Sequence, residues 1–410
     1  MGLRGRSSRA GIRRAHAMVI EVPGWADCRM RVEADIARRG WMPALSPADA
    51  DVLVVCGVPG LEFESVRDRT WSQLPGPRAR ADIITADSVS AALDSAAERL
   101  IDTAWQVDDA RNRDRKGSSA AHGHPPESQP HAGAMPMAVP MSVPVPVPED
   151  SGHDGMDMSG HAHMGMDMHM DMPSPGGIPV ASGGDDRDGL EMDVLNVPFG
   201  PVLSHWPAGL VMWCVLHGDV IATAKVQLLG AGADPPTDSE HDGPEPAGEA
   251  QSRAIRLCDD AFTLLSLAGW PSGASAAVRV RNELLRGGAL AESSIALNRL
   301  RRRVTRSWLL RWSLSGIRTA GSSTSHVGDA RDSDSGDIRR RLIEWLTEAE
   351  SICRSGVAVT SGHERHEQAL LLSAIPGLVE GMDVASARLA IAGLGLRTAA
   401  LAEVEVVAHE

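Results

Sequence analysis

Residues 48–60 read ADADVLVVCGVPG. Val52 to Cys56 follow one another with no polar residue among them, and Gly57 with Pro59-Gly60 closes the run. A strand with one wet face alternates. A short continuous apolar run bounded by turn residues marks a strand buried on both faces of a parallel sheet. Parallel strands cannot be joined by tight hairpins and need crossover segments, usually helices.

The flanking sequence supplies them. Ala17 to Val22 is a second strand-length run, interrupted by Glu21 and stopped by Pro23-Gly24. CRMRVEADIARRG (28–40) then places Met30, Val32, Ala34, Ile36 and Ala37 at mostly helical spacing and ends at Gly40. After Gly60 a helical stretch runs to about Leu74, RADIITA (80–86) gives a third strand, and a helix opened by Ser88 continues to about residue 105. Strand, helix, strand, helix, strand, helix predicts a small α/β layer domain over 17–105, with a parallel sheet. Ligands of such folds sit at the carboxyl ends of the strands. That singles out the loops Pro23–Cys28 and Cys56–Gly60, neither of which is a dinucleotide fingerprint or a phosphate loop.

Residues 106–188 read as a disordered linker. Gly, Pro, Ser, Asp and His dominate, and an alternating Val-Pro run at 139–148 favours extended polyproline II. Such a segment has too little apolar surface to offset the entropy of ordering it. Within it, residues 153–172 gather His153, Met156, Met158, His161, His163, Met164, Met166, Met168, His169, Met170 and Met172. Thioether selects soft Cu(I), and imidazole suits Cu, Zn and Ni. These residues are candidate soft-metal ligands, the other reading being a low-complexity spacer.

Beyond the linker, Glu191–Val197 alternates, Leu210–Leu216 is apolar, His217-Gly218-Asp219 forms a turn, and VIATAKVQL (220–228) returns. Residues 189–230 therefore predict a short antiparallel sheet. Residues 231–250 form an acidic, Pro-rich loop, and 251–400 read as helical, with a disordered Ser/Asp/Gly loop at 319–335. The whole is an α/β domain plus a second α+β domain with a short antiparallel sheet and a helical bundle, joined by a disordered Met/His/Pro-rich linker. One helix, at 293–317, carries Arg299, Arg301, Arg302, Arg303, Arg306 and Arg311 around Trp308 and Trp312. It is either a basic amphipathic helix that lies on an anionic membrane or a partner, or one with a solvated Arg face and its Leu and Trp packed inward.

Length and charge bound the rest. The chain has 410 residues and a net charge of -14, which opposes general nucleic-acid binding. The basic start, residues 1–16, is read as disordered. The short apolar run after it is not a secretory signal, and no window approaches a membrane span. The 5 cysteines are scattered, without a C-x-x-C pair. The expected location is cytoplasmic, possible contact with the inner membrane face resting on helix 293–317. Tyrosine is absent and Trp reaches 10, as a GC-rich actinobacterial-type genome would give.

VIEVPGWADCRM (19–30), ADADVLVVCGVPG (48–60) and RTWSQLPGPRARADI (69–83) resemble the cluster-bearing small subunit of nickel–iron hydrogenases and the equivalent subunit of respiratory complex I. Leu74-Pro75-Gly76-Pro77-Arg78 fits that family's turn before its next strand. The family's cysteine loop falls on Gly24 to Cys28, with Trp25 in the place of the first ligand and Cys28 in a vestigial ligand position. The later cysteines have no counterpart, Thr85-Ala86-Asp87-Ser88 occupying that turn. A 4Fe–4S cluster takes four thiolates, so no intact cluster is expected. Residues 190–230 resemble the N-terminal sheet of the large subunit of the same families, with Gly200-Pro201, His205–Gly209 and Gly218-Asp219 in the characteristic places. The resemblance implies that His205 takes the position of the loop beside the quinone headgroup in complex I. The paired cysteines that hold nickel and iron are missing from the chain, which excludes hydrogen chemistry on ligand count.

Three functions follow. The first is a non-catalytic accessory or assembly subunit related to hydrogenase or complex I-type modules, with other oxidoreductase subunits as partners. The alternative is soft-metal binding or buffering through the linker. An enzyme comes last, because no catalytic constellation assembles at recognisable spacing.

Overall fold

The computed structural model describes residues 14–121, 182–185, 191–233, 246–319, 337–358 and 364–401. The Met/His candidates of 153–172 lie outside the described residues.

The α/β reading holds. Strand β1 (His16–Glu21), helix α1 (Ala26–Arg39), β2 (Met42–Pro43), β3 (Val52–Cys56), α2 (Leu61–Gln73), β4 (Ala79–Ile83) and α3 (Val89–Ile101) follow in order. The sheet runs β2-β1-β3-β4, every pair parallel. In the centre Val52 faces Ala17 on one side and Ala79 on the other. All of Val52 to Cys56 is buried, which is why that run contains no polar residue. Gly40, left-handed at φ 76°, ends α1, with Asp27 in its first turn and Arg38 and Arg39 in its last. Those charges oppose the ends of the helix dipole.

The expected linker boundary at 106 needs correcting. Helix α4 (Thr103–Ala121) runs through it. It has little apolar periodicity, because polar clamps dock it instead. The Gln106 amide Nε2 donates to the carbonyl of Arg78 at 2.9 Å while its Oε1 accepts from the Arg78 N–H at 3.1 Å. The buried Arg78 guanidinium lies over the Trp71 ring at 4.0 Å and donates to both oxygens of Asp109, at 2.9 and 3.0 Å.

The second sheet is antiparallel, in the order β5 (Ser182–Asp185), β6 (Glu191–Phe199), β7 (Leu210–His217) and β8 (Val220–Leu228). The turn at Gly218, φ 63°, joins the last two. Strand β5 falls where a loop was expected. Its sequence, SGGD, carries no strand pattern, and its backbone pairs with β6. Leu210, Met212, Cys214 and Leu216 point to one side of β7 and bury against Leu372, Ile375, Val379 and Ile391. Those four lie on α10 (Glu364–Val379) and α11 (Val384–Leu394).

The remaining helices are α5 (Pro246–Leu267), α6 (Pro271–Leu285), α7 (Leu290–Arg306), α8 (Trp308–Ser313) and α9 (Ile338–Ser355). Leu264, Leu265, Ala277, Leu297, Leu300, Leu342 and Leu346 make their common core. The single helix expected over 293–317 is two. Ser307 leaves the helical region (φ -72°, ψ 106°), and its hydroxyl accepts from the Leu310 N–H at 3.2 Å, capping α8. Among the described residues no helix is long and apolar enough to cross a membrane.

The two halves share one joint. The segment after β8 pairs with the loop after β3: the Gly232 N–H donates to the Val58 carbonyl at 2.8 Å, and Pro59 bridges Ala231. Val211 and Leu229 belong to the core of the first sheet, and Met30 of α1 belongs to the core of the helices. Gly209, at φ 72°, sits where a Cβ would lie 2.6 Å from the Pro23 ring and 2.7 Å from the Leu229 carbonyl. Only glycine lets β7 start so close to the first half.

Candidate functional site

Two places need weighing: the carboxyl ends of the parallel strands and the cleft between the halves. At the first, Trp25 has turned inward. It is 2% exposed, and its indole N–H donates to the Ile84 carbonyl at 3.4 Å beyond the end of β4. Gly57 at the end of β3 has φ 107°, and a Cβ there would meet the indole at 2.5 Å. The indole therefore fills the crevice where folds of this type hold ligands. Cys28, in the first turns of α1, is buried in the same core as Cys56. Burial pushes the Cys56 thiol well above its ordinary value, with Glu21 and Cys28 adding to the shift. A thiol so placed is protonated and unreactive. The 5 cysteines are all buried. Among the described residues no group of three or more His, Cys, Asp or Glu side chains could hold a metal ion.

The cleft is different. A space of about 940 Å3 lies between β1 and α1 on one side and α5, α6, loop 201–208 and the segment 395–399 on the other. That is the size of a small-molecule site. Five charges cross it. Glu21 ends β1, Arg29 and Glu33 stand one turn apart on α1, Asp259 is on α5, and Arg281 is on α6. Arg29 pairs with Glu21, Asp259 and, at 2.8 Å, with Glu33. Arg281, 0% exposed, pairs with Asp259 and with Glu33 at 2.7 Å, and its guanidinium lies 5.4 Å from the Phe262 ring centre.

Three carboxylates against two guanidinium groups leave this cluster with one more acidic than basic side chain. Burial raises Glu21 above its ordinary value even though Arg29 opposes it. Burial would raise Glu33 and Asp259 too, but Arg29 and Arg281 outweigh it and hold both below the usual carboxylate range. Burial and pairing thus push Glu21 one way and Glu33 and Asp259 the other.

His205 lines the same cleft, from the loop between β6 and β7. Its backbone is left-handed at φ 58°, unusual for a residue other than glycine, and its ring meets Phe262 edge-on with centroids 5.4 Å apart. Burial lowers its pKa, with Glu33 opposing. The neighbouring Trp206 indole donates to the Leu210 carbonyl at 2.8 Å and pins the loop. Beside it, Asp260 and Arg397 form a two-fold pair, one contact at 2.9 Å. No protein-family model matches the sequence, and no curated protein or solved structure is significantly similar to it.

Of the sequence candidates, His205 reaches the cleft, while Cys28 packs in the adjacent core and does not line it. The charged cluster was missed. Its signals were present: Glu21 interrupts an otherwise apolar strand, Arg29 and Glu33 are four apart, and Asp259-Asp260 breaks the apolar face of α5. A charge inside an apolar run is tolerable only when paired. Neither local period nor spacing says that the partners lie some 230 residues apart.

Proposed function

We propose that the chain is a non-catalytic accessory or assembly subunit related to hydrogenase and complex I-type modules, a fusion of small-subunit-like and large-subunit-like halves whose redox centre has been lost. The observation that carries this reading is the joint between the halves: α1 meets α5 and α6 through buried ion pairs, and loop 57–60 pairs with 229–232. A fusion of two subunits that once docked on each other requires such a joint. Two further features support it. Trp25 fills the crevice at the position where the resemblance puts the first cluster ligand. His205 lines the cleft between the halves, as the resemblance implies for the quinone-side loop. The cleft then serves to hold the halves in register, its ionised groups being spent on one another.

The test is affinity purification of the tagged full chain from native extract, with the co-purifying proteins identified by mass spectrometry. Hydrogenase-type or complex I-type subunits are expected in stoichiometric amount. A sample holding only the chain itself, or only unrelated proteins, overturns the reading.

A further inference from the structure

The expectation for 293–317 left two alternatives, and the structure separates them. The tryptophans are not packed inward. Trp308 and Trp312 are each 72% exposed, and Leu309 between them is 56% exposed. Leu310, Leu314 and Ile317 fill the core behind them, so α8 is anchored from one side and bare on the other. Large apolar side chains are seldom left so open without a partner.

The segment that carries this patch is itself basic. From Ala296 to Thr319 the sequence has seven arginines and no acidic residue. Arg301 is taken up by Glu350, and Arg303 by Ser272 and the Trp270 ring. Arg299, Arg302, Arg306, Arg311 and Arg318 are exposed and make no ion pair among the described residues. On α7, Ile295, Arg299, Arg302 and Arg306 recur at helical spacing on the exposed side, while Ser293, Leu297, Leu300 and Val304 are buried. All this stands on a chain whose net charge is -14.

We propose that α7–α8 is a membrane-docking surface that takes an anionic phospholipid bilayer, with Trp308, Leu309 and Trp312 entering the headgroup boundary and Arg302, Arg306 and Arg311 meeting lipid phosphates. Trp belongs at that boundary because it has an apolar body and one N–H donor. Arginine stems run along apolar surface while the guanidinium stays with phosphate. A bilayer requires only these two features, whereas a protein partner of comparable affinity would call for a concave pocket or a polar rim. The six residues of α8, Trp308–Ser313, offer Trp308, Leu309 and Trp312 with Arg311 and carry no acidic side chain. The acidic remainder of the chain is repelled by the same lipid surface, which fixes orientation. This inference stands on exposure and charge and does not rest on the function proposed above.

The test is flotation of the full chain with vesicles of equal parts phosphatidylcholine and phosphatidylglycerol, beside vesicles of phosphatidylcholine alone. The chain is expected to float with the anionic vesicles and to be released by molar salt, which screens exposed charges. Trp308→Ser with Trp312→Ser should abolish flotation. Arg302→Glu with Arg306→Glu and Arg311→Glu should lower the partition coefficient by on the order of 100-fold or more. All five positions are exposed, so both variants should melt with the wild type, and that is checked first. Three results would overturn the proposal: no flotation of the wild type at low salt, equal flotation with neutral vesicles, or flotation unchanged in both variants. A fourth would do so by replacing it: a wild-type dimer in sedimentation that the tryptophan variant turns to monomer would make the occupant a second copy of the chain.

Discussion

Replacing Arg281 with Met removes one of the two guanidinium groups that hold Glu21, Glu33 and Asp259, without opening a large hole. Arg281 is 0% exposed and holds Asp259 and Glu33 together. Without it, Arg29 alone faces Glu21, Glu33 and Asp259, and the excess buried charge grows from one to two. Breaking a buried pair by removing one partner costs about 3–5 kcal/mol. At roughly 2–4 °C per kcal/mol for a fold of this size, the melting temperature should fall by about 6–20 °C. The loss has a pH signature. Glu33 and Asp259 have folded-state pKa values below their ordinary 4.5 and 3.8, so their contribution is complete above those values and fades as pH falls through the folded ones. Arg281→Met forfeits much of that contribution, so its deficit should be widest above about pH 5 and shrink towards pH 3. Calorimetry or circular dichroism melts of both proteins across that range read it directly. Equal melting at pH 7, or a deficit of the same size at every pH, would refute the assignment of the cluster as the tie between the halves.

Glu21 has the opposite sign. Its pKa is raised, so its contribution is complete below the ordinary 4.5 and is lost as pH rises through the folded value. Glu21→Gln should therefore be neutral or stabilising at pH 8 and destabilising at pH 4, by urea titration. Gly57→Ala would put a Cβ at 2.5 Å from the Trp25 indole on a backbone at φ 107°. A loss of about 2–4 kcal/mol and a red-shifted tryptophan emission are expected. Burial pushes the Cys214 and Cys353 thiols to about 11, and Cys28, Cys56 and Cys258 are buried as well. The native chain should react slowly with Ellman's reagent at pH 8, and all 5 thiols should titrate in denaturant. If the segment 153–172 is a Cu(I) ligand set, changing its seven methionines to Leu should remove Cu(I) binding in a competition assay with the melting temperature unchanged.

The fold was legible wherever a local pattern carries it. The unbroken run Val52–Cys56 announced a doubly buried strand, and Leu210–Leu216 with Gly218-Asp219 announced a hairpin, because burial and turn geometry leave their mark on adjacent residues. The segment Ser182–Asp185 was opaque because backbone pairing leaves no trace in SGGD. Helix α4 was cut short in the reading because Gln106 and Asp109 hold it through partners in the turn at Arg78, some 30 residues away. The break at Ser307 was missed for a related reason: one hydroxyl cap, not a Gly or Pro, redirects the chain there. For Trp308 and Trp312 the sequence left inward packing and exposure both open, and the two side chains are exposed. His205, singled out by the resemblance of its loop, lines the cleft. Glu21, Arg29, Glu33, Asp259 and Arg281 were not legible, since charge pairing across the joint is a property of the tertiary fold and no single segment contains both signs at the required geometry.

The function proposed above requires that Trp25, and no iron–sulfur cluster, occupy the ends of the parallel strands in the first half. Iron and acid-labile sulfide, measured on the full chain purified without oxygen and again after incubation with ferrous iron and sulfide, test it most directly. The account predicts neither element above background in both samples. Stoichiometric iron and sulfide, with the visible absorption of a cluster, would contradict it and make this half a redox carrier.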